Sequence, residues 1–281
     1  MYFLKPNTIL VLLCLLCFNF GSAQEEKEPT FVYPTFKVNN NYSLYGDKVK
    51  LRTAPNTTSD VVTLLRISDQ VKLLEITDKF HEISDTKTPW CKVEYKGKTG
   101  YVLEKFMAHA YIINSDTDFY FRLIEKDNQN YLLIRTSYGD AEIAYHETTL
   151  PLFESAISFT VEDNKGLQNV TDILKISYHG DSCGAENGST YFFLTEDYQL
   201  IHIANLSVSG DGGYFDSETF TFTTNEQNGQ PVIVFTKESG ETIDEGSAWV
   251  ESKTMTRQYE WNGTKLVPEF SKEFYKRKKS D

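Results

Sequence analysis

The chain reads as an all-β protein, a small barrel followed by a larger antiparallel β-meander that closes as a sandwich or a barrel. Three observations predict this. Apolar residues recur at every second position in many short segments, the period of a strand with one covered face. Clusters of Gly, Asn, Asp and Pro separate these segments and turn the chain. No stretch carries a strong helical period; only LPLFESAISF, residues 150–159, reads equally as a short helix or another strand.

The first 23 residues set the expected compartment. Lys5 precedes an apolar run over residues 9–20, and Gly21-Ser22-Ala23 supplies small residues before Gln24, the order of a secretory signal peptide. The run is too short for a comfortable membrane span, and no later stretch approaches the roughly 20 apolar residues that spanning requires. The mature chain is therefore expected to be exported, periplasmic or extracellular, with no membrane span. A lipid anchor wants a small residue before the modified cysteine, whereas Leu13 precedes Cys14 and Leu16 precedes Cys17. The chain holds 28 Lys and Arg against 40 Asp and Glu, and cleavage would remove only Lys5, leaving a net charge of about −13. That charge disfavours wholesale binding to nucleic acid or anionic membrane. The short basic run Lys276-Arg277-Lys278-Lys279 reads as a solvated tail. Cys91 and Cys183 survive cleavage; two cysteines make no disulfide framework, and the sequence leaves open whether they are bonded.

Residues 24–41 hold QEEKEP, two prolines and Asn39-Asn40-Asn41 without an apolar period, a linker composition that places the start of folded structure near Tyr42. Over residues 42–108 the runs VKLR, VVTLL, VKLLEI, WCKVEY and TGYV are five short strands between turns, enough for a small barrel. In PWCKVEYKGKTGYV, residues 89–102, Cys91, Val93 and Tyr95 alternate with Lys92, Glu94 and Lys96, and Gly97 permits the positive φ of a tight hairpin turn. Cys91 shares the core face of Val93, where a thiol acts as a small hydrophobe.

Taken with GDKVKLRTAPNTTSDVVTLL, residues 46–65, and with Ser68-Asp69 before VKLLEI, this region resembles the bacterial SH3-like family of cell-envelope proteins and wall-hydrolase targeting modules. Leu51, Arg52, Pro55, Trp90, Val93, Gly97, Gly100, Tyr101 and Val102 stand where the family's pattern has them. Ala54 replaces a usual Gly, Thr63 replaces another, and residues 80–88 lengthen the loop before Trp90. The resemblance implies an SH3-like barrel that binds a peptidoglycan peptide or a protein segment on exposed aromatics and polar loops. As side chains, Trp90 and Tyr101 offer large contact area with a polar handle, while Arg52 and Asn56 can present donors to a carboxylate or a peptide. The plainer alternative has Trp90 and Tyr101 covering the barrel end and Arg52 pairing with a neighbouring acid.

From residue 110 onward the pattern stays β with longer spacing. FYFRLIE, NYLLIRT, ILKISYH, TYFFLTE, QLIHIANLSV, ETFTFTT, PVIVFTK and MTRQYEW alternate or run apolar, with breaks at Asp127-Asn128, Asn228-Gly229 and Asn262-Gly263. Hairpin-linked strands in this order predict the meander; residues 110–281 match no family pattern.

Reactive residues are sparse in that region. His179, Asp181 and Cys183, with His202 on a nearby strand, are of zinc-binding type, yet the glycine-rich HGDSCGAENGS lacks the dense spacing of zinc motifs. Cys183 has no helical period behind it to depress a nucleophile's pKa. Asp116/Asp118 and Asp211/Asp216 read as solvated turns, and no phosphate-binding glycine motif occurs. The expectation is a noncatalytic, cofactor-free envelope-binding protein whose partner is a peptidoglycan fragment or envelope protein. The competing class is a wall hydrolase or peptidase with its active site within residues 110–281.

Overall fold

The computed structural model describes residues 28–83, 86–114, 117–137, 145–152, 156–180, 187–211, 213–242 and 250–271. The expected signal peptide, Cys183 and the basic tail lie outside these residues. Every strand pair among them is antiparallel, and the only helical element is one 3-10 turn.

Folding starts earlier than composition indicated. Strand β1 (Thr30–Phe31) pairs with residues 158–159 of a later strand, Val32 is buried among the apolar residues there, and Phe36 packs on the barrel core. The expectation of a linker running to residue 41 is thereby corrected: a two-residue strand and single apolar anchors leave no periodicity to detect.

The barrel sheet comprises β2 (Asn41–Ser43), β3 (Val49–Arg52), β4 (Val61–Leu65), β5 (Gln70–Ile83), β6 (Thr86–Tyr95) and β7 (Lys98–Leu103), in the order β2-β5-β6-β7-β3-β4, followed by the 3-10 turn Glu104–Phe106. Alternation fills its core with Val49 and Leu51, Val71 and Leu73, Cys91 and Val93, and Val102. Lys96 and Gly97 both take positive φ, forming the two-residue turn whose twist suits a hairpin. Gly100 is required sterically, since a Cβ there would lie 2.7 Å from the Arg52 carbonyl oxygen. Residues 80–83 and 86–89, expected as a lengthened loop, instead pair as an arm extending β5 and β6, beyond a register shift between Ile76 and Phe80.

A four-stranded sheet follows, made of β8 (Ala110–Ile112), β9 (Asp118–Lys126), β10 (Gln129–Ser137) and β11 (His146–Pro151). Asp127 and Asn128 form its two-residue turn with positive φ at both positions. The meander then runs through β12 (Ile157–Asp163), β13 (Asp172–Tyr178), β14 (Asn187–Leu194), β15 (Leu200–Asp211), β16 (Tyr214–Thr224), β17 (Pro231–Thr242), β18 (Val250–Trp261) and β19 (Leu266–Val267), with β1 on the outer edge of β12. Within 150–159, residues 150–151 belong to β11 and residues 157–159 to β12, and none of the described residues there is helical.

The larger region is both a sandwich and a partial barrel. The four-stranded sheet packs on β12–β14, with Phe121 stacked on Phe159 at 3.7 Å. The other end of the nine-stranded sheet curls over the opposite face of β13 and β14. Phe193 of β14 thus meets Trp261 of β18 edge-to-face at 5.0 Å although three strands separate them in the sheet. The uninterrupted YFFL of β14 follows from this: Phe192 and Leu194 enter the sandwich core, Tyr191 and Phe193 the curled core.

Two arginines clamp the barrel to the outer face of the four-stranded sheet. Arg122 donates through Nη1 to the Met107 carbonyl at 2.8 Å and through Nη2 to Glu104 Oε2 at 3.0 Å. Arg135 donates to the Tyr45 carbonyl and to Glu147 Oε2, and its guanidinium lies between the Tyr45 and Tyr145 rings at 4.1 and 3.8 Å. Tyr45, Ile67, Ala108 and Tyr120 bury the apolar part of this junction.

Candidate functional site

The outer face of β6, β7 and β3 carries an open cleft of about 250 Å³. The arm forms one wall, with His81, Ile83 and Trp90; Lys48, Lys50 and Arg52 form the other; Leu103 and Phe106 line it between them. Local structure fixes each position. On β3, Val49 and Leu51 point into the barrel, which turns Lys50 and Arg52 outward. On β6, Cys91 points inward and Trp90 outward, under the arm and opposite Leu103 in the ladder. The register shift in β5 is pinned by Thr77, whose hydroxyl donates to the Trp90 carbonyl at 2.8 Å.

Trp90 is only 4% exposed, yet its indole N–H has no hydrogen-bond partner among the described residues and is not among their buried unpartnered atoms. That donor therefore keeps some contact with solvent. The His81 ring lies 6.4 Å from it at a 45° tilt. Asp47 also lines the cleft, but Arg66 pairs with it at 2.8 Å. Burial opposes ionisation of Asp47, and hydrogen bonds from Arg66 and the Ile67 amide outweigh this, holding its pKa below the usual carboxylate range.

Of the four residues singled out in the sequence, Arg52 and Trp90 meet in the cleft. Arg52 Nη1 donates to the Ser59 carbonyl at 2.7 Å, tying down the loop after β3 rather than pairing with an acid. Tyr101 lies beside the cleft, half-buried, in register with Arg52 and Lys92. Asn56 is exposed on the loop, where its Oδ1 accepts the Thr58 and Ser59 amides at 3.1 and 2.7 Å and the Thr58 hydroxyl at 3.0 Å. That carbonyl organises the segment carrying Thr57 to the cleft rim. Sequence reasoning missed Lys48 and Lys50, legible as the polar half of KVKLR, and His81 and Ile83, hidden because residues 80–88 read as loop.

The other reactive candidates are engaged structurally. His179 Nε2 bonds the Ser158 hydroxyl at 2.8 Å, and His202 Nε2 bonds Asn205 Oδ1 at 2.9 Å. Asp181 and Cys183 lie outside the described residues, within which no group of three His, Cys, Asp or Glu side chains is placed to hold a metal. Cys91 is a free thiol, fully buried, with its pKa pushed up to about 12 by burial and secondarily by Glu104.

Residues 47–108 match the family model of the bacterial SH3 domain. The barrel is a bacterial SH3 domain. No curated protein and no solved structure matches the chain. The SH3 domain thus contains the whole cleft, both walls and floor, and ends at the residue before His109.

Proposed function

We propose that this is an exported, noncatalytic cell-envelope binding protein whose SH3 domain holds a peptidoglycan peptide or a protein segment in the Trp90 cleft. One observation carries the reading: Trp90, whose N–H has no partner among the described residues, lines an open groove together with Lys48, Lys50 and Arg52. A tryptophan with a free donor at the edge of a groove is a common anchor for a bound chain. The bacterial SH3 family supports a wall-associated ligand, and the signal-like N-terminus supports export. The four-stranded and curled sheets serve as the scaffold that fixes the domain through Arg122 and Arg135.

The test incubates mature protein with purified peptidoglycan and runs a zymogram on the same wall material. Retention of wild type, loss of retention in a folded Trp90→Ala variant, and no cleared band are the expected results. A cleared band would make the protein a hydrolase, and undiminished retention of Trp90→Ala would move the site elsewhere.

A further inference from the structure

The two walls of the cleft differ in kind. In the order β6, β7, β3 the basic strand stands two spacings from the Trp90 strand, roughly 10 Å, which accommodates one extended chain. Lys50 and Arg52 are two residues apart on β3 and so repeat at roughly 6.6 Å along it; Lys48, in the turn just before, continues the row. Lys48 and Lys50 make no ion pair among the described residues, and Arg66 neutralises Asp47. Arg52 keeps donors beyond the one given to Ser59. The facing wall is apolar at Ile83 and Trp90.

We infer that the cleft takes an extended acidic peptide in which carboxylate side chains alternate with apolar ones. This rests on the reading of the cleft as the ligand site. An extended chain sends successive side chains to opposite sides with a two-residue repeat, so its carboxylates meet the β3 cations while its apolar side chains cover Trp90 and Ile83. A bare polyanion would leave Ile83 uncovered, and a neutral glycan would leave the lysines unmatched. The surroundings sharpen the selection. Residues 42–108 hold 11 Lys and Arg against 9 Asp and Glu, whereas residues 109–281 hold 14 against 28. An acidic peptide is therefore repelled by most of the molecule and steered to this groove.

The test titrates the mature full chain with capped octapeptides of alternating Glu-Leu, Gln-Leu and Lys-Leu sequence, and with inorganic polyphosphate. The Glu-Leu peptide is expected to bind most tightly, the Gln-Leu peptide roughly tenfold more weakly, as for two partly exposed ion pairs, and added salt to narrow the gap. The double variant Lys48→Glu/Lys50→Glu, at exposed positions, should keep its melting temperature and reverse the order of the Glu-Leu and Lys-Leu peptides. Equal binding of Glu-Leu and Gln-Leu overturns the inference, as does polyphosphate binding as tightly as Glu-Leu. If no peptide binds while peptidoglycan retains wild type but not Trp90→Ala, the inference falls and the cleft stands as the site. If nothing is retained by either route, both fall.

Discussion

Trp90 and Trp261 are buried to nearly the same degree, 4% and 8% exposed, but their surroundings differ. Trp261 fills the curled sheet edge-to-face with Phe193, and its N–H donates to the Gln168 carbonyl at 3.0 Å. Trp90 backs an open groove, and its N–H has no partner among the described residues. The charges follow the same division. In the curled sheet, buried Glu218 accepts from the Ser207 amide and hydroxyl, and Lys237 bridges Glu218 and Asp216 at 3.2 and 2.8 Å. In the cleft, Lys48 and Lys50 pair with no acid among the described residues. Burial alone does not separate a core aromatic from a binding aromatic; satisfaction of its polar edge and of the neighbouring charges does.

The sharpest way to break this contrast is Trp261→Ala, expected to cost about 3–5 kcal/mol of folding stability through the cavity it leaves. Denaturant melts should show that loss with wall binding intact in the folded fraction. A small loss would mean the curl does not depend on its aromatic filling. Next in size is the clamp. Arg122→Met removes the donor to the Met107 carbonyl and to the Glu104 carboxylate, and one of two donors to the Glu104 carbonyl, and should cost about 2–4 kcal/mol, visible as a barrel transition that separates from that of the sheets.

The junction also carries a pH dependence. The Leu123 amide donates to His109 Nδ1 at 2.9 Å, so the ring proton belongs on Nε2, and burial, reinforced by Arg122, holds the imidazole pKa at about 3 against an ordinary 6.5. Above pH 6.5 the ring is neutral folded and unfolded, and contributes no slope. Between 6.5 and about 3 only the unfolded chain takes the proton, so stability falls by about 1.4 kcal/mol per pH unit, or about 2 kcal/mol by pH 5. Urea melts of wild type and His109→Gln across pH 5–7 should diverge by that amount, and parallel curves would contradict it.

Trp90→Ala is expected to weaken wall binding by about 1–3 kcal/mol and to destabilise the fold less than Trp261→Ala, because Trp90 borders an open cleft whereas Trp261 fills the curled core. Equal stability losses at the two tryptophans would place Trp90 in the core instead. The smallest effect belongs to Asn56→Ala, which removes the loop's internal acceptor and should cost about 0.5–1 kcal/mol, with a modest drop in affinity as Thr57 loosens at the rim.

Much of the barrel was legible because its signals are local. The Lys96-Gly97 turn, the inward row of Cys91 and Val93, and the order of Leu51, Trp90, Gly100 and Tyr101 all lie within a few residues of what they determine. The site was half legible: Arg52 and Trp90 are singular side chains at marked positions, whereas Lys48 and Lys50 look like ordinary strand polarity until an apolar wall stands opposite. The arm was lost because the register shift after Ile76 interrupts the two-residue period just before Phe80.

By itself the sequence determined the all-β class, the antiparallel meander and the strand faces of the barrel, since alternation and turn chemistry act between near neighbours. Only the tertiary structure decided that β13 and β14 are covered on both faces, that Phe193 meets Trp261, that Arg122 and Arg135 lock the barrel to a sheet, and that Lys50 looks across a groove at Trp90. Each of these depends on which distant surface arrives opposite a given face. A strand's period specifies its two faces and carries no information about what will cover them.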